Sequence, residues 1–249
     1  MRPMTDRWRE IWSSRSGHEE LPRLERALQL DGFDAPGNAI TPAHWRAYVL
    51  AMATRMRITP GATLFEVGCG AGAFLIPLAE AGFAVGGIDY SPSLIEVGRS
   101  LSPSARLEVA DAADLDVSEQ YDHVFCHSVF QYLPTHERAH QVLTRMASKS
   151  KTSVGILDVG DAACRDRSIA ARRAYEGRDY DDRYAGLSHL YFERDWFMSA
   201  ASELGYAPAF YDSDLEGHRN AAHRYSVVLL PTPQAVAATG PEASTGVAS

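Results

Sequence analysis

Lysine is nearly absent from this chain of 249 residues: only Lys149 and Lys151 occur, and arginine carries the rest of the positive charge. That scarcity limits any chemistry that needs a lysine, and no Tyr-x-x-x-Lys pair of the dehydrogenase type exists. Cysteine is scarce too. Cys69, Cys126 and Cys164 lie far apart, so there is neither a C-x-x-C metal or redox pair nor a disulfide framework. No apolar run reaches the roughly 20 residues of a membrane helix. The opening MRPMTDRWREIW is charged and is followed by no apolar stretch, unlike a secretory signal. Basic residues are outnumbered, with 24 Lys and Arg against 32 Asp and Glu, a net charge of −8. Such a balance disfavours nucleic acid, where phosphate neutralisation supplies most of the affinity. Internal repeats are missing. These absences describe a reduced, cytoplasmic protein of enzyme size, a monomer or homodimer with neither nucleic acid nor membrane as partner.

What is present divides into two textures. The first sixty residues read as helices. Trp8, Ile11 and Trp12 fall on one helical face by their i, i+3, i+4 spacing. Leu21, Leu24, Leu28 and Leu30 suggest a second helix near Pro22, and DGFDAPGNAI is turn-rich. Thr41-Pro42 has the form of an N-cap and first helical position, opening a helix to about Met56 with Trp45, Val49 and Met52 on one side. From Thr59 short apolar runs alternate with helical stretches. Strands are expected at 62–69, 83–90, 105–111, 121–127 and 153–159, and helices at 71–81, 92–100, 135–148 and 193–204. Continuous apolar strands between helices imply a parallel sheet covered on both faces. Strands at 207–212 and 225–230 have too little chain between them for a crossover helix and are expected to pair antiparallel. The charged, tyrosine-bearing segment 161–190 breaks the rhythm and reads as a lid insertion. The Ala, Thr, Pro and Gly-rich tail 231–249 reads as disordered.

The segment Glu66-Val67-Gly68-Cys69-Gly70-Ala71-Gly72-Ala73 closes a strand and opens a helix, the context in which such a loop holds a ligand. Glycine lets the backbone turn tightly and approach a ligand closely. Ligands of open α/β sheets lie beyond the carboxyl ends of the strands. Asp89 ends the second strand, 21 residues after Gly68, where an acid can hold both ribose hydroxyls. Asp111 ends the third strand and is followed by Ala112, a carboxylate and a backbone N–H able to reach an adenine edge. Two nucleoside ligands fit. The spacing satisfies the nicotinamide fingerprint G-x-G-x-x-A. Against it stand Glu66 two residues before the first glycine, the helical stretch ahead of the motif, the missing Tyr-x-x-x-Lys and the final antiparallel pair.

Residues 59–230 resemble the class I S-adenosylmethionine-dependent methyltransferases of small-molecule type. LFEVGCGAGAF is similar to the family's first motif, GIDYSPSLIEVGR to its acidic second strand and helix, EVADAADL to its adenine-contacting segment, and YDHVFCHSVFQYL to its fourth strand and following loop. The resemblance implies an α/β fold: a Rossmann-like, doubly wound, seven-stranded sheet with the last strand antiparallel. An N-terminal helical cap (1–58), the core (59–230) with its lid insertion, and the tail (231–249) complete the expected organisation. It implies S-adenosyl-L-methionine as cofactor, with Glu66, Gly68, Gly70 and Gly72 at the methionine part. Asp89 would hold the ribose, Tyr90 and Leu94 would lie beside the adenosine, and Asp111 and Ala112 would hold the adenine. His127 and Ser128 would sit near the methionine amine and the sulfonium. Trp8 and Trp12 either close over the cofactor or pack as an apolar helix face. No metal is implied, because His127 stands where the catecholate-type subgroup needs an aspartate.

The implied reaction moves the sulfonium methyl to a hydroxyl or amine of a small molecule such as a sugar or specialised metabolite. A hydroxyl acceptor calls for a base near the sheet's carboxyl edge. Candidates are His127, Asp158 at the end of the fifth strand, and His189 after the insert. Tyr191, the insert's Tyr175, Tyr180, Tyr184, Arg172, Arg173, Arg178 and Arg183, and the cluster His218, Asn220, His223 and Arg224 are further polar candidates for the acceptor pocket. The alternatives to this reading are a nicotinamide-dependent oxidoreductase and a non-catalytic S-adenosylmethionine-binding protein. A protein substrate also stays open. A nucleic-acid base enzyme is disfavoured, because His127-Ser128-Val129-Phe130 stands where an Asn/Asp-Pro-Pro-aromatic motif would be.

Overall fold

The computed structural model describes residues 4–178 and 180–232. Nearly all of the expected tail lies outside the described residues.

Strands β1 (Thr63–Val67), β2 (Ala84–Asp89), β3 (Arg106–Val109), β4 (Tyr121–His127), β5 (Ser150–Gly160), β6 (Tyr206–Asp212) and β7 (Arg224–Pro231) form one sheet in the order β3-β2-β1-β4-β5-β7-β6. The first five are parallel; β7 runs antiparallel between β5 and β6. The reversal has a local cause. Residues 213–223 contain no crossover helix, so β7 can only return beside β6. This order departs from the all-parallel 3-2-1-4-5-6 of dinucleotide-binding folds.

Helices α4 (Leu75–Glu80), α5 (Pro92–Leu101), α6 (His136–Lys149) and α9 (Arg194–Glu203) follow β1, β2, β4 and the insert. Two apolar layers result. One packs α4 and α5 with Leu64, Phe125, Leu157 and Val228. The other packs α6 and α9 with Val67, Val124, Ile156 and Val227. The N-terminal stretch contributes α1 (Met4–Ser13), α2 (Arg23–Leu28), a π-helical turn at Gln29–Phe33 and α3 (Pro42–Arg55). Thr41 caps α3 by accepting the His44 N–H. Leu24, Leu28, Trp45, Val49 and Met52 belong to the same apolar cluster as the sheet residues, so these helices share the sheet's core. The insert forms α7 (Arg165–Glu176) and α8 (Tyr180–Arg183).

Element boundaries shift from the sequence reading for identifiable reasons. The helix expected from Ala71 starts at Leu75, because the Ala71 and Ala73 N–H groups donate to the Asp31 carboxylate instead of entering a helix. The third strand stops at Val109, because Asp111 caps a 3-10 turn over Ala112–Asp114. The seventh strand runs through Pro231, taking in the first residue assigned to the tail. Among the described residues no helix is long and apolar enough to cross a membrane.

Candidate functional site

The carboxyl ends of β1, β2, β4 and β5 open into a cavity of about 930 Å³, roofed by α1, the 31–38 segment and the insert. One end is built on the glycine loop. Gly68 has φ +75°, and a Cβ there would run into Val129. Gly70 has φ +53°, and its face is covered by the Asp31 carboxylate. Both positions therefore require glycine. Gly72 is set apart from the other two. It is absent from the cavity wall and turns the loop toward α4, its N–H donating to the Cys69 carbonyl at 2.8 Å.

Three carboxyl groups converge on this loop. Glu66 is buried, and its Oε2 has no hydrogen-bond partner. Burial, reinforced by Asp31 and Asp89, pushes its carboxyl well above the usual range. Asp89 accepts the Gly70 N–H (3.0 Å) and the Ser91 N–H (2.8 Å), and burial raises its pKa. Asp31 accepts the Ala71 N–H at 2.6 Å and the Ala73 N–H at 2.9 Å; burial outweighs both bonds and pushes it up to about 7. Sequence reasoning passed over Asp31. Nothing in DGFDAPGNAI distinguishes it from a turn residue, and it meets the loop only through the fold.

Toward β3, Tyr90, Leu94, Asp111 and Ala112 line the cavity. Asp111 accepts the Ala113 N–H and pairs with Arg9 of α1. Arg9 also stands over the Tyr90 ring, 5.2 Å from its centroid. The two N-terminal tryptophans take different places. Trp8 is buried, 4.9 Å from the rings of both Tyr132 and His189. Trp12 meets Tyr132 edge-on at 5.5 Å and lies against Gly32.

The other end lies beyond β4 and β5. Ser128 (φ +56°) and Asp158 (φ +58°) both hold left-handed backbone, which costs a non-glycine residue about 1–3 kcal/mol and concentrates at functional sites. The Ser128 hydroxyl donates to Asp158 Oδ2, and Arg224 pairs with the same oxygen at 3.3 Å. Burial alone would raise the Asp158 carboxyl, but Arg224, His218, His127 and the Ser128 hydroxyl hold it far below the usual range. His218 presents Nδ1 to Asp158 Oδ1 at 3.7 Å, and neither atom has another partner. His127 is enclosed by Trp45 (5.3 Å), Tyr48 (5.6 Å), Phe74 (5.3 Å) and Phe33 (5.8 Å). Burial pushes its pKa down to about 4, so the ring is neutral at physiological pH. His189 lies across the cavity, bonded to Arg172. Burial, then Arg172 and Arg224, hold it well below its ordinary value. Asp158 is thus within direct reach of Ser128, Arg224 and His218, whereas His189 is in a separate cluster. Of the other insert residues, Tyr180 and Tyr184 line the cavity, Arg173 pairs outward with Asp181, and Tyr175 is exposed.

Residues 64–152 match a family model described as a methyltransferase domain. The sheet carries the corresponding strand order, with β7 reversed. The fold is that of the class I S-adenosylmethionine-dependent methyltransferases. The domain is similar to the chloroplastic magnesium protoporphyrin IX methyltransferase of Arabidopsis thaliana, 27% identical over 154 residues, 60% of this chain and 45% of that protein. It is also similar to the ubiquinone biosynthesis O-methyltransferase of Xanthomonas campestris pv. campestris, 32% identical over 110 residues, 42% of this chain and 44% of that protein. The chain thus spans less than half the length of these curated relatives. Among solved structures, magnesium protoporphyrin IX methyltransferase from Synechocystis PCC 6803 with bound S-adenosylmethionine superposes with a TM-score of 0.56 at 17% identity, covering 91% of this chain and 90% of that one.

The chemistry of the site fits S-adenosylmethionine. Two buried carboxyl groups, Glu66 with an orphaned oxygen and Asp89, and the half-buried Asp31 surround the glycine loop; among the described residues Arg15 is the one cation that acts on them, and it acts on Asp31 alone. Such a site is starved of positive charge. S-adenosylmethionine brings an ammonium and a sulfonium.

Proposed function

We propose that this protein transfers the methyl group of S-adenosylmethionine to a hydroxyl, or to an amine, of a small molecule, and that it works in the cytoplasm, where the free thiols Cys69, Cys126 and Cys164 persist. One observation carries the reading. One open cleft joins a carboxylate-rich glycine loop to a second polar cluster at Asp158. The first suits a cationic nucleoside and the second an acceptor. The name of the Xanthomonas relative, an O-methyltransferase, supports an oxygen acceptor.

The bound cofactor supplies a methyl group on a positively charged sulfur that leaves as a neutral thioether. The protein's work is positioning and proton handling. Glu66 and Asp31 hold the ammonium end, Asp89 the ribose, and Asp111 with the Ala112 N–H the adenine. Trp12 and Tyr132 close the cavity over the reacting end and exclude water. Holding both reactants in line is worth roughly 7–11 kcal/mol of barrier. Asp158, fixed by Ser128 and Arg224, orients His218, which takes the acceptor proton. His127, neutral in its aromatic enclosure, shapes the approach beside the methyl, and His189 lines the acceptor side.

Calorimetric titration with S-adenosylhomocysteine and with NAD, followed by a labelled-methyl screen of small hydroxyl and amine compounds, tests this function. Binding of S-adenosylhomocysteine alone with label transfer to an acceptor is the expected result. Cofactor binding with no turnover on any acceptor favours the non-catalytic alternative.

A further inference from the structure

Most arginines around the cavity are neutralised. Arg219 pairs with Glu176 at 2.8 Å, both side chains buried, and Arg224 pairs with Asp158. Arg173, next to Arg172 on α7, pairs with Asp181 at 2.8 Å. Arg172 differs. It lines the cavity, yet among the described residues no carboxylate stands within ion-pair distance of it; Arg138, the other lining arginine without one, donates to Gln141 and leaves no buried N–H unpartnered.

Its guanidinium is nevertheless held. Nη2 donates to the Tyr191 hydroxyl at 2.9 Å, and that hydroxyl donates onward to Ser168 Oγ at 3.1 Å. Nη1 donates to His189 Nδ1, which fixes the neutral His189 proton on Nε2. Nε is buried and has no partner. The result is a preorganised cation with a free, desolvated N–H. A buried donor left unpaired costs about 1–3 kcal/mol, more when charged. The surrounding charges do not offset it. Arg172, Arg219 and Arg224 face Glu176 and Asp158, while burial keeps His127, His189 and His218 neutral. One positive charge is left over.

We propose that the methyl acceptor carries an anionic oxygen group, a carboxylate or a phosphoryl, that docks on Arg172 beside His189. The inference rests on the methyltransferase reading of the cavity and names the acceptor's chemistry. Arg172 is a binding residue in it. The planar guanidinium offers paired donors to an oxyanion, which an ammonium cannot reproduce.

The test titrates acetate and, separately, inorganic phosphate into the protein saturated with S-adenosylhomocysteine, at fixed ionic strength, by calorimetry and by the ¹H–¹⁵N signal of the Arg172 Nε–H. At least one anion is expected to bind saturably and to shift that signal; which one distinguishes a carboxylate from a phosphoryl. Arg172→Gln should weaken that binding about tenfold or more, Arg172→Lys should keep part of it, and Arg173→Gln should leave it unchanged. Affinity for S-adenosylhomocysteine should stay within about twofold in every variant. No saturable anion binding up to about 50 mM, or equal binding in Arg172→Gln, overturns the proposal. An equal loss of S-adenosylhomocysteine affinity in Arg172→Gln also overturns it and assigns the arginine to the cofactor's own carboxylate. Failure of the wild-type protein to bind S-adenosylhomocysteine sinks the methyltransferase reading itself.

Discussion

The Asp31 carboxylate and the Ala71 N–H are 2.6 Å apart, although forty residues of chain separate them. With its second bond to Ala73, Asp31 pins the turn after α2 onto the glycine loop. The Trp45 indole N–H, donating to the Ala73 carbonyl at 2.8 Å, holds the same loop from α3. The N-terminal helices are thereby tied to the glycine loop and help build the candidate site.

Asp31 makes stability depend on pH in a defined direction. Its carboxyl is pushed up to about 7 from an ordinary 3.8. Between those values the folded chain keeps a proton that the unfolded chain releases, so rising pH favours unfolding there, and the effect levels off above about 7. The difference in melting temperature between wild type and Asp31→Asn should move against wild type from pH 4.5 to 7 and stay flat above. A difference independent of pH would refute the assignment. The cationic cofactor should also draw protons off Asp31 and Glu66. Calorimetry at pH 6.5 in buffers of different ionisation enthalpy should therefore show proton release on S-adenosylmethionine binding.

Glu66 gives a separable test of the charge argument. Its carboxyl is buried, with an orphaned Oε2. Glu66→Gln keeps the shape and removes the ionisable group. Stability should be unchanged or higher, since burial disfavours the ionised carboxylate and the amide carries no charge. Affinity for S-adenosylmethionine should drop about tenfold or more, roughly 1.4 kcal/mol. Denaturant melts and calorimetry on the same preparation read both. A variant that loses stability while keeping its affinity would contradict this role.

Gly68→Ala should fail in two ways at once. The backbone at φ +75° costs about 1–3 kcal/mol for a residue with a Cβ, and that Cβ meets Val129. Adding Val129→Ala should relieve the collision and leave the backbone cost. The double variant is therefore expected between the single variant and wild type in urea unfolding. Full recovery would mean that the left-handed backbone is not constrained.

Much of this architecture is legible in local sequence because its causes are local. The apolar runs of β1, β4 and β5 are buried on both faces, and their composition shows it. Thr41-Pro42 announces α3 by capping chemistry alone. The glycine loop and Asp89 stand at fixed spacing on consecutive elements of one βα unit. What escaped is non-local. Asp31 sits in a turn-rich polar segment where an acid has no distinguishing pattern, and His218, legible as one of a polar cluster, meets Asp158 only through the fold. Arg9 meets Asp111 only because α1 folds across the sheet edge. The place of β7 between β5 and β6 depends on which edge of the sheet is free when the last hairpin arrives, and no residue of β7 states it.

His218 and Asp158 carry the last prediction. Their facing atoms are 3.7 Å apart and otherwise unpartnered, a separation that substrate can close, since catalytic hydrogen bonds often tighten on binding. Burial lowers the His218 pKa, and Asp158 partly offsets that. A base must be neutral to act, so kcat should rise with pH through the acid range and level off near neutrality. Asp158→Asn removes the offsetting charge, moves that limb to lower pH and misorients the ring. His218→Ala removes the proton acceptor, which is worth about 10²–10⁴-fold in kcat, while S-adenosylhomocysteine affinity should stay unchanged. Initial rates across pH 5–9, with the acceptor found by the label screen, measure both effects. A His218→Ala enzyme with wild-type kcat would remove the dyad from the reaction and leave positioning as the protein's whole contribution.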